Sequence, residues 1–147
     1  MAKTIKETCG FLKERKEEIT FLEGAERYQY ILQIADNYER SNPFPPELKI
    51  SGNKVPGCVS EAYVASEFKD GKMYYKCISD ARTVFGYMAM LAEALSGLPP
   101  GEIVDNSKPC IDDFVKGTNV LGSLSPNRAN AFGNVYRMMV ERARQHL

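Results

Sequence analysis

The dipeptide Asp70-Gly71 constrains the fold of this chain more than any other feature of its sequence. It separates two runs rich in aromatic and β-branched residues, residues 59–68 and 73–78. An Asp-Gly pair between two such runs is a strong signal for a tight β-hairpin, because the central residues of a type I′ turn need positive φ. The sequence therefore predicts two antiparallel strands in the middle of the chain.

Helical patterns precede this hairpin. Residues 4–18 are rich in Lys and Glu, with few apolar positions, and this pattern predicts a solvated helix. Residues 25–38 carry apolar side chains at three- and four-residue steps, which predicts a helix with one buried face. Pro43, Pro45 and Pro46 end this second helix and open a loop that leads to the strands.

Helical patterns also follow the hairpin. Ser79 or Asp80 is placed to cap a third helix, and Gly97 ends it. Gly86 lies inside this helix, where a glycine is unfavourable unless it permits a close backbone approach. A short helix is predicted over residues 109–115. The last helix is the best marked, with Ser125 as N-cap followed by a proline.

Length and charge limit the classes of protein that fit this sequence. A chain of 147 residues is the usual size of one domain. The 19 basic residues balance 19 acidic ones, which argues against broad binding to nucleic acid or to an anionic membrane. No apolar run approaches the ~18 residues that span a bilayer, and the first residues lack a signal-peptide core. We expect a cytoplasmic protein.

The cysteines show no standard metal or redox spacing. None of the four forms a C-x-x-C pair, which argues against the usual zinc and thioredoxin-like sites; they are Cys9, Cys58, Cys77 and Cys110. A cytosolic chain of this size should not need disulfides. The sole histidine, His146, is the penultimate residue, and chain ends are usually mobile. A catalytic Cys-His pair is therefore not expected.

One cysteine is presented by a turn. Pro56 and Gly57 come directly before Cys58, so a residue with fixed φ and one with free φ shape the backbone there. This context makes Cys58 a candidate reactive thiol, although a free cysteine is commonly a small buried hydrophobe. Cys110, in the first turn of a predicted helix, is a second candidate. Cys77 lies within a predicted strand, where a structural role is expected.

Arg128 occupies an unusual position for a cation. It falls in the first turn of the last helix, where a positive charge opposes the helix macrodipole. The arginine is either simply solvated or placed there for a partner group.

Several stretches together resemble one protein family. Residues 28–35 resemble its early helix, residues 53–60 its cysteine loop, and residues 125–132 the start of its last helix, with residues 79–82 also similar. The family is SufE, the sulfur-acceptor proteins that work with cysteine desulfurases in iron–sulfur cluster assembly. The resemblance runs from about Ile19 to the C-terminus. It implies one SufE-like domain over residues 1–147, with residues 1–18 a divergent N-terminal helical segment.

The resemblance implies a fold and a role. The fold is α+β, a small antiparallel sheet of about three strands with helices packed on it, shared with NifU-type cluster scaffolds. The role is to accept persulfide sulfur from a desulfurase onto Cys58, to stimulate that enzyme, and to pass the sulfur on. By the same resemblance, pyridoxal phosphate is expected on the desulfurase alone, with no cofactor or metal on this chain. The resemblance implies a sulfur-transfer partner and activator rather than a stand-alone enzyme.

The resemblance and the residues together suggest a site. Cys58 is the acceptor, and Pro56, Gly57 and Ser60 form its loop. A thiol with a pKa near 8.5 is only a few per cent ionised at pH 7. With no histidine at hand, Arg128 is the residue we expect to favour the thiolate, because a guanidinium stays charged.

Partners and alternatives follow from the same site. The expected partners are a cysteine desulfurase and a cluster scaffold complex as recipient, with no nucleic acid or membrane. The chain itself is expected to be a monomer or a homodimer. One alternative function is an iron–sulfur scaffold on the same fold, which needs several converging thiolate or histidine ligands. Another is a binding adaptor whose cysteines are all structural.

Overall fold

A single hairpin surrounded by helices forms the fold in the computed structural model, which describes residues 3–57 and 61–147. Strands β1 (Ala62–Lys69) and β2 (Lys72–Ser79) pair antiparallel, and with the helices they confirm the α+β class. In the described residues the sheet has two strands, where about three were expected. Two helices come before the sheet, α1 (Ile5–Phe21) and α2 (Gly24–Ser41). The helices after it are α3 (Arg82–Leu95), α4 (Pro100–Asn106), α5 (Lys108–Thr118), α6 (Val120–Ser123) and α7 (Pro126–Arg144).

The predicted hairpin turn is confirmed. Asp70 and Gly71 have φ of 53° and 77°, the positive values that a two-residue type I′ turn requires. The register places Val64 opposite Cys77, so alternate side chains of both strands share one face. That face is turned into the core; its buried residues are Ala62, Val64, Met73, Tyr75 and Cys77.

Helix α3 lies at the centre of the molecule. It contacts β2, α1, α2 and α7, and it is buried nearly all round rather than on one stripe. Such a helix is typical of the core position it occupies. Its N-cap is Ala81, so the prediction of a Ser79 or Asp80 cap is wrong. The Ser79 hydroxyl instead accepts a hydrogen bond from the backbone N–H of Ala81 at 3.1 Å.

Three helices occupy the region between α3 and α7, where the sequence predicted one. The predicted helix at residues 109–115 is confirmed as α5, but α4 and α6 were missed. Pro100 explains the first omission, because it ends the preceding pattern and is also the first residue of α4. Asn119, with φ of 54°, separates α5 from α6 in the left-handed conformation that asparagine tolerates.

The N-terminal helix is firmly attached. Thr4 and Glu7 form a capping box at its start, which satisfies two backbone donors. The buried Thr8 hydroxyl donates to the carbonyl oxygen of Ala94 at 2.7 Å, and Lys16 pairs with Asp113 at 2.7 Å.

Residues 3–57 and 61–147 contain no helix long and apolar enough to cross a bilayer.

Candidate functional site

The turn that leads into Cys58 lies at the start of β1. The backbone N–H of Val55 donates to the carbonyl oxygen of Ala62 at 2.8 Å, and Lys54 forms a bridge with Tyr63. Val55 is buried, so the residues before the turn are fixed against the sheet. Gly57 has φ of 74°, a conformation that favours glycine.

The far side of the loop is also attached. The backbone N–H of Asp80 donates to the carbonyl oxygen of Glu61 at 3.1 Å, which ties the entry to β1 to the end of β2. Two of the predicted site residues, Cys58 and Ser60, lie outside the described residues. The structure therefore describes the backbone that flanks the predicted acceptor on both sides, and the remaining site residues, Pro56, Gly57 and Arg128.

Helix α7 holds the segment before the turn through polar side chains. The Asn134 Nδ2 donates to the carbonyl oxygen of Pro56 at 2.7 Å. The Arg142 Nη2 donates to the carbonyl oxygen of Gly52 at 2.7 Å and to Asn53 Oδ1 at 3.0 Å. Neither Asn134 nor Arg142 was singled out in the sequence, because a polar residue on a helix is usually solvated.

These contacts give the segment a direction. Asn134 and Arg142 are eight residues apart, about 12 Å along a helix axis. Gly52 is hydrogen-bonded to Arg142 and Pro56 to Asn134, so the segment that follows the short 3₁₀ helix Ser51–Asn53 runs alongside α7 toward its N-terminal end. Arg128 lies in that direction, six residues or about 9 Å beyond Asn134 along the axis. Six residues also correspond to about 240° of rotation, so Arg128 lies on a different face of α7 from Asn134, where the turn contacts the helix.

Arg128 borders a cavity of about 330 Å³ between the starts of α2, α3 and α7. Its backbone N–H is bonded to Ser125 Oγ at 3.4 Å, which confirms Ser125 as N-cap. Arg27 and Tyr87 also line the cavity. Burial raises the pKa of Tyr87, with a hydrogen bond to Ser123 acting in the opposite direction. Two guanidinium groups at one cavity give this part of the surface a positive character.

A disulfide joins two of the remaining cysteines. Cys9 in α1 is bonded to Cys110 in α5, with Cα atoms 5.4 Å apart. The expectation that the chain needs no disulfide is therefore wrong, and so is the suggestion that Cys110 is a second reactive thiol. No spacing signal marks this pair in the sequence, because its members are 101 positions apart.

Cys77 is structural, as predicted. It is buried in β2 beneath α3, and burial raises the pKa of its thiol well above the ordinary value. A protonated thiol without access to solvent is a poor nucleophile.

The single histidine, which could act as a base for a thiol, lies far from the Pro56–Gly57 turn. The His146 ring stacks on Phe68, with centroids 4.4 Å apart, near the hairpin end of β1. Phe68 is six residues along the strand from Ala62, or about 20 Å, so His146 is remote from the Pro56–Gly57 turn. Within the described ranges, no group of three His, Cys, Asp or Glu residues could bind a metal ion.

Comparisons with known proteins agree with this architecture. The SufE family model, described as an Fe-S metabolism associated domain, matches residues 13–143. An uncharacterised SufE-like protein from Synechocystis is 41% identical over 117 residues, which cover 80% of this chain and 69% of the relative. SufE-like protein 1 of Arabidopsis thaliana, chloroplastic/mitochondrial, is 30% identical over 118 residues. That alignment covers 80% of this chain but only 30% of the Arabidopsis protein.

A solved structure shares the fold. The solution structure of a hypothetical protein from Thermus thermophilus superposes with a TM-score of 0.66, and covers 92% of this chain and 94% of its own. Its sequence is 21% identical, so this likeness concerns the fold alone. The family match and the Synechocystis relative extend over most of the chain, and the family match includes the turn before Cys58 and the start of α7. The chain belongs to the SufE family of proteins associated with Fe-S metabolism.

Proposed function

We propose that this chain is a sulfur acceptor that takes persulfide sulfur onto Cys58 from a pyridoxal-phosphate-dependent cysteine desulfurase. It stimulates the desulfurase by removing that sulfur, and it passes the sulfur on for iron–sulfur cluster assembly. The observation that carries the proposal is the attachment of the backbone on both sides of Cys58. The turn before Cys58 is held to α7 by a hydrogen bond to the Pro56 carbonyl oxygen. After the loop, the carbonyl oxygen of Glu61 accepts a hydrogen bond from Asp80, just beyond β2.

The reaction is an exchange between sulfur atoms. The Cys58 thiolate attacks the terminal sulfur of the donor's persulfide, a new S–S bond forms, and the donor's own S–S bond breaks. The electron pair of the broken bond stays on the donor cysteine, which leaves as a thiolate. The proton that Cys58 loses goes to solvent or to the donor. No net oxidation occurs, so this chain needs no cofactor for the step.

The surroundings of the turn support this assignment. The segment 52–56 runs alongside α7 toward the start of the helix, which carries Arg128. The Arg27 guanidinium lines the same cavity as Arg128. We propose that the loop after Gly57 brings Cys58 within reach of these two guanidinium groups, whose charge favours both the attacking thiolate and the persulfide anion that it becomes. The other three cysteines offer no competing acceptor, since Cys77 is buried and the other two are bonded to each other.

The test is sulfur transfer measured by intact mass. The chain is incubated with a cysteine desulfurase and cysteine without reductant, and its mass is compared with that of Cys58→Ser. We expect the parent to gain sulfur and the variant to gain none. Cys77→Ala is the matched control, because it removes a thiol that burial keeps inert. The proposal is abandoned if Cys58→Ser gains as much sulfur as the parent.

Stimulation of the desulfurase is measured separately. Alanine release is followed with and without the chain. We expect the parent to raise the turnover rate and Cys58→Ser to leave it near the rate of the desulfurase alone. Equal stimulation by the two would favour the adaptor function, in which no cysteine reacts. A visible cluster spectrum after addition of iron and sulfide would favour the scaffold.

A further inference from the structure

The contact between Asn134 and Pro56 joins α7 to the residue pair that directly precedes Cys58. The Asn134 Nδ2 is 2.7 Å from the carbonyl oxygen of Pro56. A Cβ added at Gly57 would lie 3.3 Å from the same nitrogen, so the amide is packed against the turn as well as bonded to it. The described part of α7 thus meets this turn through one side-chain amide.

Arg137 fixes the orientation of this amide. Its Nη1 donates to the Asn134 Oδ1 at 2.6 Å. A guanidinium can only donate, so the amide must present its oxygen to Arg137 and its NH₂ group to the Pro56 carbonyl. Asn134 therefore has a defined role on each side, as an acceptor from the helix and as a donor to the turn.

The bonded carbonyl belongs to a peptide unit with two alternative orientations. Proline followed by a glycine at φ of 74° matches positions i+1 and i+2 of a type II turn. A type I turn differs from type II mainly in the rotation of the peptide unit between those two residues. The Pro56 carbonyl is part of that unit. A hydrogen bond to it therefore favours one of the two turn types and the direction in which the chain leaves Gly57.

We propose that Asn134, oriented by Arg137, is a positioning residue that holds the Pro56–Gly57 peptide unit and thereby presents the Cys58 thiol. Its part in sulfur transfer rests on the function proposed above. Its part in fixing the turn does not, and it can be measured without a desulfurase.

Two substitutions separate the contacts of the amide. Asn134→Asp keeps the shape and the acceptor for Arg137, but it offers the Pro56 carbonyl no donor. Asn134→Ala removes both contacts at a half-buried helical position where alanine is a good helix former. Asn37 provides matched controls, because on α2 it also accepts from an arginine three residues later, Arg40, but bonds no turn carbonyl in the described part of the chain.

The first measurement is the alkylation rate of Cys58 by iodoacetamide, read on its peptide by mass spectrometry over a range of pH. We expect the alkylation rates of both Asn134 variants to differ from that of the parent by at least about threefold, since one hydrogen bond shifts a local equilibrium by about that factor. For Asn134→Ala the pH midpoint should stay unchanged. Asn37→Ala and Asn37→Asp should react at the parent rate. Rates within twofold of the parent in both Asn134 variants would overturn the proposal.

The second measurement is the kinetics of sulfur transfer. We expect kcat to fall at least about threefold in both Asn134 variants with an unchanged KM for the desulfurase, because the turn and not the docking surface is altered. A raised KM with unchanged kcat would show that Asn134 contacts the partner and would overturn the positioning role. Altered alkylation with unchanged transfer would overturn it too. If the parent itself takes up no sulfur, the proposed function fails, while alkylation still decides whether Asn134 fixes the turn.

Discussion

Gly86 and Ile31 bring α3 and α2 into backbone contact. A Cβ added at Gly86 would lie 2.5 Å from Ile31 Cγ2 and 2.6 Å from the Ile31 carbonyl oxygen. The carbonyl belongs to the α2 backbone, so it cannot move aside as the end of a side chain could. The glycine that looked merely unfavourable in a helix is the residue that allows the two helices to pack at this distance.

Gly86→Ala is therefore expected to destabilise the protein. Alanine favours a helix by ~1 kcal/mol over glycine, but the overlap with Ile31 costs more. We expect the free energy of unfolding to fall by about 2 kcal/mol in urea titrations. Gly10→Ala is the control, since Gly10 lies exposed in α1 with nothing within 4 Å of an added Cβ. It should gain about 0.5–1 kcal/mol, and a loss of similar size in both variants would contradict this account.

The Cys9–Cys110 disulfide should contribute measurably to stability. It closes a segment with a sequence separation of 101 positions, and a disulfide typically contributes about 2–4 kcal/mol, chiefly by restricting the unfolded chain. We expect Cys9→Ser to lower the free energy of unfolding by that amount under oxidising conditions. Cys110→Ser and the double variant should match it, because each removes the same bond. With reductant present, the parent and the variants should converge.

Alkaline pH should weaken the fold through groups that are buried in their neutral form. Burial raises the pKa of Cys77 and of Tyr38, which contacts it. In the unfolded chain these groups lose their protons at ordinary pH values, so above about pH 8 the unfolded state binds fewer protons than the folded state. Their stabilising contribution is complete below that pH and is lost as pH rises. Once such a group is fully ionised in the unfolded chain but still neutral in the folded one, the free energy of unfolding falls by about 1.4 kcal/mol for each further pH unit.

Thermal unfolding measured against pH tests this effect. Cys77→Ala should be less stable than the parent at neutral pH because it leaves a small cavity. Its stability should decline less steeply between about pH 8 and pH 10, where only the parent has this thiol to ionise on unfolding. Parallel declines in the two proteins would count against a role for Cys77.

Arg128→Gln tests whether the guanidinium favours the Cys58 thiolate. A positive charge close to a thiol lowers its pKa, so its removal should raise the pH midpoint of Cys58 alkylation by about one unit. Arg128→Lys should restore most of the effect. Arg144→Gln is the control, because Arg144 pairs with Glu141 in the last turn of α7, ten residues or about 15 Å from Asn134 along the helix axis. An unchanged midpoint in Arg128→Gln would leave Arg128 without this role.

Local signals in the sequence predicted most of the fold. The Asp70–Gly71 turn and the Ser125 cap each depend on residues a few positions apart, and both are confirmed. The apolar face predicted for residues 25–38 is buried in its second half, while Ala25 and Tyr28 are exposed. The α4 and α6 helices were missed because they have only seven and four residues, too few to show an apolar period.

Contacts distant in sequence could not be predicted. The Cys9–Cys110 bond, the Gly86–Ile31 approach and the Asn134–Pro56 hydrogen bond each join residues on different elements. A polar position in a helix gives the same sequence signal whether its side chain faces water or contacts a turn. The presence of a turn before Cys58 could be predicted from Pro56 and Gly57, but not the α7 side chains that are hydrogen-bonded to it.

The hydrogen bond between Val55 and Ala62 fixes one end of the short segment that carries Cys58. Cys58 is attached three residues beyond Val55, so with this bond intact its Cα can lie no farther than about 11 Å from that anchor. If Cys58 is the acceptor proposed above, a donor must bring its sulfur close to the start of β1, because a segment of this length cannot carry the thiol far from the sheet.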